Sequence, residues 1–402
     1  MNILFLSTEN PYPPDCGHHL RTLNILELLA KQNKIYFLGF SQKESELQYI
    51  PNIKPFCETV DIFLIPRKGY NLKFLFVAFK NLFSKNPLVA QRYFLKSAQN
   101  KISELIKNYP IDFVHVDMLA LGLFRKNYND IPTILTNHNV ESLRLFRWMK
   151  QEKNLVIKAY LYYQYRKLRK FEKTICPQFD RCITVSKEDN RYLIELCRKD
   201  NFAIIPNGVN IDYFKPQKTK IEADKLVWVG AMDGPYNANA VDYFLEEILP
   251  LIQEKVPQVK IDFLGRGATK KLKEASQNPN IKIHGFVEDV RPYINRAAVY
   301  IAPIRSGSGT KIKVLNALSL GKAVVTTPVG AEGIDVTDKK NIMIANTARE
   351  FADKTIRLLQ RPKEAEKMGI EGRKLIEEIY DWGVIERDMT KLYREVAMLE
   401  SK

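Results

Sequence analysis

The stretch Asn207–Asp224, NGVNIDYFKPQKTKIEAD, decides how this chain is read. It is polar, carries Pro216, and lacks an apolar period long enough for a core helix. Before it, apolar runs alternate with longer amphipathic segments: Asn2–Ser7, Lys34–Phe40, Val60–Ile65, Phe113–Val116, Thr133–Thr136, Cys182–Val185 and Ala203–Ile205. After it the same rhythm restarts with Lys225–Val229, Lys260–Gly265, Ile281–His284, Val299–Ala302 and Ala323–Thr326. Helix-length segments between strand-length runs are the pattern of a parallel sheet covered on both faces. The expected fold class is α/β, in two domains joined near residue 215. Their expected bounds are 1–210 and 211–380. A terminal helical segment, 381–402, follows a helix at Ala365–Ile379 and has no strand after it, so it could pack back on the first domain.

Composition narrows the function classes. The 402 residues include 45% hydrophobic and 27% charged residues, ordinary for globular domains and against disorder. Lys and Arg number 62 against 46 Asp and Glu, a formal charge of +16. Residues 1–210 hold 31 Lys and Arg against 19 Asp and Glu, net +12, so the second half carries only +4. No helix-turn-helix, zinc-finger or RNA-binding signature accompanies that charge, and nucleic acid is not expected as a partner. Basic and aromatic residues are instead interleaved in Tyr70–Phe83 (Lys73 and Lys80 among Phe74, Phe76, Phe79 and Phe83) and in Lys150–Lys173, which has eight Lys and Arg and four tyrosines. Such faces suit an anionic membrane surface, or are solvated helices that pack through tyrosine. The five cysteines, Cys16, Cys57, Cys176, Cys182 and Cys197, form no CxxC pair, which points to buried thiols in a reducing compartment. The N-terminus opens on a strand rather than a signal peptide, and no apolar run nears the ~18 residues of a spanning helix. The expected location is cytoplasmic, with peripheral attachment to the inner membrane face open.

Three segments carry candidate chemistry. The first strand leads into Ser7–His19, a proline-stiffened loop ending at Gly17 before a helix from about Leu20. Glycine at a helix start lets backbone approach an anion, although a tight strand-to-helix turn has the same look. The run Arg305-Ser306-Gly307-Ser308-Gly309-Thr310-Lys311-Ile312-Lys313 follows a strand and opens the helix Lys311–Leu320. Its glycines free backbone amides, Thr310 can cap, and the helix dipole favours a negative ligand such as a diphosphate. Lys313 and Asn316 share one face of that helix. His138 sits just past a strand, in Thr136-Asn137-His138-Asn139-Val140-Glu141, where ligands bind in open α/β sheets. The five histidines (His18, His19, His115, His138, His284) show no HxxxH or His/Asp metal spacing, and there is no DxD pair, so no metal or other cofactor is expected.

With these segments placed, the chain resembles the retaining, family 4 type of GT-B glycosyltransferases over nearly its full length. The pieces that carry the resemblance are Pro13-Pro14-Asp15-Cys16-Gly17, His138-Asn139-Val140-Glu141, Ile183-Thr184-Val185-Ser186 and Ile205-Pro206-Asn207-Gly208-Val209-Asn210 with Tyr213-Phe214. They continue with His284-Gly285-Phe286-Val287-Glu288-Asp289-Val290, Ala302-Pro303 through Gly321-Lys322-Ala323-Val324-Val325, and Gly330-Ala331-Glu332-Gly333. The resemblance implies two Rossmann-like domains facing across a cleft, the first for acceptor and the second for a nucleotide diphosphate sugar, with Asn207-Gly208 near the hinge. It implies donor contacts from Gly17, Gly230, Phe286, Val287, Arg305, Gly307, Ser308, Gly309, Thr310, Lys311 and Asn316, with catalytic roles for His138 and Lys313. His18 and Glu141 would face a glycan or lipid-linked acceptor.

The implied reaction is sugar transfer to a hydroxyl acceptor with retention, by front-face substitution in which the leaving phosphate takes the acceptor proton. Surface polysaccharide or glycolipid synthesis is the implied setting. The pattern departs from the family at three places. Ser308 and Asn316 stand where the second domain usually has two glutamates eight positions apart. Ala231-Met232-Asp233-Gly234-Pro235 follows Gly230 in place of an arginine and lysine. His18 replaces a glycine after Gly17. Two alternatives follow: a catalytically silent sugar-nucleotide-binding subunit, and a UDP-sugar epimerase.

Overall fold

The structure is a computed structural model and describes residues 1–14, 17–66, 72–232, 234–307 and 309–398. The chain divides into two compact units, Met1–Ile205 with Glu386–Lys402, and Pro206–Ile385.

The first unit is built on seven strands, β1 (Asn2–Ser7), β2 (Lys34–Ser41), β3 (Thr59–Leu64), β4 (Phe113–Asp117), β5 (Thr133–Asn137), β6 (Arg181–Thr184) and β7 (Phe202–Ile204). All pair in parallel, in the order β3-β2-β1-β4-β5-β6-β7. Ile3, Leu4, Phe5 and Leu6 are all fully buried, as expected of a central strand with helices on both faces. The register pairs Ser7 with Asp117 at the carboxyl ends of β1 and β4, where the strand order reverses direction. From Glu386 onward the last helix, Trp382–Ala397, packs here: Glu386 pairs with Lys31 at 2.9 Å, and the Tyr393 ring lies 5.0 Å from that of Phe113.

The second unit has six parallel strands, β8 (Glu222–Val229), β9 (Lys260–Leu264), β10 (Ile281–Gly285), β11 (Ala297–Ala302), β12 (Val324–Thr326) and β13 (Met343–Ile344), ordered β10-β9-β8-β11-β12-β13. Here the order reverses between β8 and β11. The strand set follows the apolar runs closely, with two physical exceptions. β13 is two residues long, too short to leave a periodic signal. β8 starts inside the polar stretch, because Lys225 pairs with Glu222 at 2.9 Å and Asp262 at 3.3 Å and so brings charge into a strand.

Cys176, Cys182 and Cys197 are buried and Cys57 half-buried, all as free thiols. None of the described helices is long and apolar enough to cross a membrane.

Candidate functional site

In open parallel sheets a ligand crevice forms where neighbouring loops diverge at the reversal of strand order. Each unit places its candidate residues at that point.

In the first unit the focus is Asp117, the last residue of β4. Residues two apart on a strand face the same way, so His115 and Asp117 lie on one side of the sheet. Asp117 is fully buried. Its Oδ1 lies 2.6 Å from His138 Nε2 and 3.9 Å from His115 Nε2, while Thr22 Oγ1 donates a short hydrogen bond to Oδ2. Burial pushes the Asp117 carboxyl up, but the hydrogen-bonded His138, with His115 and His18 close by, outweighs it and holds it well below the usual carboxylate range. An ionised Asp117 makes His138 Nε2 the donor in that contact and fixes the orientation of the ring.

The His18 ring meets that of His138 edge-on, 4.7 Å between centroids. Burial, with His138 adjacent, lowers His18 to about 4, so it is neutral at pH 7. Its Nδ1 is buried with no hydrogen-bond partner among the described residues. Behind this group, the Tyr393 hydroxyl bonds His115 Nδ1 and Thr136 Oγ1 lies 3.2 Å from His115 Nε2. Tyr393→Phe is expected to cost about 1 kcal/mol of stability, the net worth of one buried hydrogen bond, read from urea unfolding.

The second unit centres on Lys313, in the second position of the helix Ile312–Ser319 after β11. Its Nζ donates to Asn237 Oδ1 at 2.8 Å and stands 4.5 Å from the centre of the Trp228 ring. Burial, helped by Lys311, lowers its pKa to about 7. Two glycines make room for it. A Cβ on Gly230 would sit 2.5 Å from Nζ, and one on Gly265 would sit 2.1 Å from the Gly230 carbonyl oxygen. Both glycines have positive φ, 154° and 132°, so the loops after β8 and β9 can press together beside the ammonium.

The comparisons bear on both units. Residues 62–213 match the family model Glycosyltransferase Family 4, and residues 223–361 match Glycosyl transferases group 1. The chain carries the two domains of a GT-B glycosyltransferase. Over 395 residues it is 24% identical to an uncharacterized 44.6 kDa protein in the cps region of Klebsiella pneumoniae, covering 94% of this chain and 96% of that one. It is 26% identical over 230 residues to the phosphatidyl-myo-inositol mannosyltransferase of Mycobacterium leprae, 55% of this chain and 60% of that protein. Among solved structures, sucrose-phosphate synthase from Thermosynechococcus elongatus superposes with a TM-score of 0.73 at 16% identity, covering 98% and 99% of the two chains. Anabaena HepE in complex with UDP gives 0.69 at 13%, covering 98% and 100%. At these identities the structures speak for the fold.

Within this GT-B chain the predicted residues separate into groups. His138 and His18 meet in the first unit. Glu141 turns to its own helix, Glu141–Gln151, and pairs with Arg144 at 2.6 Å. Gly17 opens the helix Gly17–Ala30, three residues earlier than the sequence indicates. Lys313 and Gly230 meet in the second unit, with Asn316 one turn along the Lys313 helix. Arg305 lies over the Tyr243 ring at 3.9 Å, donates to Asn239 at 3.3 Å and faces Glu247 at 3.6 Å, so three neighbours already hold it. Lys311 Nζ folds back to the Gly309 carbonyl at 2.6 Å.

Thr310 does not cap: Lys311 occupies the N-cap position, and Thr310 Oγ1 donates to the Gly333 carbonyl at 3.3 Å. Gly307 and Gly309 have φ of 120° and 71°, conformations that glycine adopts without strain. Phe286 stands 79% exposed after β10, while Val287 packs against the second core. Ser308 lies outside the described residues, as do Asp15 and Cys16 of the first loop.

Sequence spacing missed the acidic partner. The ligand atoms of His18, Asp117 and His138 lie within 4.8 Å of one another, a His/Asp cluster able to hold a cation that their wide separation in sequence concealed. One signal was available: His115-Val116-Asp117 ends an otherwise apolar strand on a carboxylate.

Proposed function

We propose that this chain moves a sugar from a nucleotide diphosphate sugar to a hydroxyl acceptor with retention, in surface polysaccharide or glycolipid synthesis. The observation that supports it most is Lys313: a partly buried ammonium at the reversal of the second sheet, in a loop opened by glycines and paired with a neutral amide rather than a carboxylate. Among the described residues no carboxylate pairs with Lys313, and such a cation suits a diphosphate that gains negative charge as its bond to the sugar breaks. In front-face substitution the C1–O bond to the diphosphate breaks as the acceptor oxygen bonds C1 from the same side. The acceptor proton passes to the departing phosphate oxygen. Protein groups then mainly stabilise charge, and the reading needs no metal. His138, oriented by Asp117, would hydrogen-bond a sugar hydroxyl through its other ring nitrogen.

The reading is tested with a panel of UDP-, GDP- and ADP-sugars, beginning with UDP-sugars because Anabaena HepE was solved with UDP and with UDP-glucose. Sugar transfer, or slow donor hydrolysis without acceptor, is expected, and it should survive EDTA. Loss in EDTA that a divalent ion restores would assign the His18–Asp117–His138 cluster to a metal instead. Binding without turnover, unrepaired by Asn316→Glu, would leave a silent sugar-nucleotide subunit. Isomerised donor without acceptor would mean an epimerase.

A further inference from the structure

The first unit has a second concave feature. The end of the helix Leu72–Leu82 lies against the middle of the long helix Leu155–Ile175, fixed by Tyr163 donating to the Leu82 carbonyl at 2.5 Å and Gln164 donating to Asn81 at 2.8 Å. Between them runs a groove of about 570 Å³ whose lining includes Phe83, Lys85, Arg166, Arg169, Lys170 and Lys173 and, among the described residues, no carboxylate. Lys167 is spent underneath, donating to the Asn81 carbonyl. Arg166, Arg169, Lys170 and Lys173 recur at intervals of three and four, so like charges are stacked on one helical face, which destabilises a helix standing alone. The one acid of that helix, Glu172, is buried and accepts from the Ser142 amide. No ion pair to Lys85, Arg169, Lys170 or Lys173 occurs among the described residues.

The groove opens beside exposed aromatic surface. Phe83 is 80% exposed and Phe79 60% exposed, and their rings meet at 5.8 Å. Lys80 sits over the Phe76 ring at 4.4 Å. Cations alone would suit any polyanion. Cations beside water-exposed phenylalanines suit a ligand whose phosphate adjoins a hydrocarbon phase.

We infer that this groove is a headgroup site for anionic phospholipid, with Arg166, Arg169, Lys170 and Lys173 on the phosphate and Phe79 and Phe83 in the acyl boundary. It holds the first unit on a membrane surface and does not depend on the sugar-transfer reading. The side chains of Lys73 and Phe74 lie outside the described residues and are not needed for it.

Flotation of the full chain with phosphatidylglycerol/phosphatidylcholine vesicles tests the site at low and high salt. Retention on the anionic vesicles that falls with salt is expected, with none on pure phosphatidylcholine. Arg169→Glu/Lys173→Glu should lower vesicle affinity at least tenfold, and Phe79→Ser/Phe83→Ser should lower it severalfold at unchanged charge. All four positions are exposed, and unchanged circular dichroism melts would show that the variants fold. Absence of retention at low salt, or retention unaffected by the charge reversals, overturns the proposal. Retention that the phenylalanine variants leave intact and inorganic pyrophosphate displaces would also overturn it, in favour of a soluble phosphate.

Discussion

Asp117→Ala is expected to destabilise the first unit by roughly 1–3 kcal/mol for each buried donor it leaves unpaired. The variant would leave His138 Nε2, Thr22 Oγ1 and His115 around an emptied acceptor position, all inside protein. Asp117→Asn keeps the volume and should cost less, but it removes the charge that orients the His138 ring. It is therefore expected to reduce turnover more than stability. Urea unfolding followed beside turnover separates the two effects.

The pH dependence has a definite sign. Asp117 is held below its ordinary pKa, so its contribution is present above the usual carboxylate range and is lost as pH falls through that depressed value. His18 is lowered from 6.5 to about 4, so its contribution is complete above 6.5 and is lost as pH falls toward 4. Melting temperature against pH should thus decline in two stages. His18→Asn should flatten the stage between 6.5 and 4, and Asp117→Asn the stage below it. A His18→Asn curve parallel to wild type between 6.5 and 4 would mean that His18 is not held neutral.

The fold was legible because a parallel sheet covered on both faces imposes continuous apolar runs, and Asn2–Ser7, Phe113–Val116 and Lys260–Gly265 stand out against amphipathic segments. The candidate site was legible only in part, and the division is physical. Residues that must be small or positively charged near a loop, such as Gly230, Gly307 and Lys313, leave a local pattern. Residues that act by convergence do not: Asp117, His115 and Tyr393 come together through strand register and a terminal helix, from positions 278 residues apart in the case of His115 and Tyr393. Arg305 shows what a local pattern leaves out. Its place beside the glycines marks it for phosphate, but Tyr243, Asn239 and Glu247 on and after the neighbouring helix, Pro235–Tyr243, take hold of its guanidinium. Charge in a loop shows what a residue can bind, and only packing shows what it already binds.

Lys313→Met keeps most of the side-chain length and removes the charge, and it should weaken UDP binding by roughly 1.5–3 kcal/mol, the range for a hydrogen bond to a charged group. Calorimetry would show this as about a 10- to 150-fold loss. In wild type, Lys313 is near half-protonated at pH 7, whereas a bound diphosphate favours the ammonium. Binding should therefore take up protons, and affinity should fall as pH rises from 7 toward 9. In the methionine variant both effects should be missing, so equal proton uptake by the two proteins would remove Lys313 from the site. Stability should move the other way. A lysine whose pKa is lowered in the fold contributes fully only above its unfolded value near 10.4, and that contribution is lost as pH falls through about 7. At neutral pH and below, the unliganded methionine variant should accordingly be at least as stable as wild type. A side chain whose removal weakens the ligand but not the fold is held there for the ligand, and unfolding measured with and without UDP distinguishes that from a structural role.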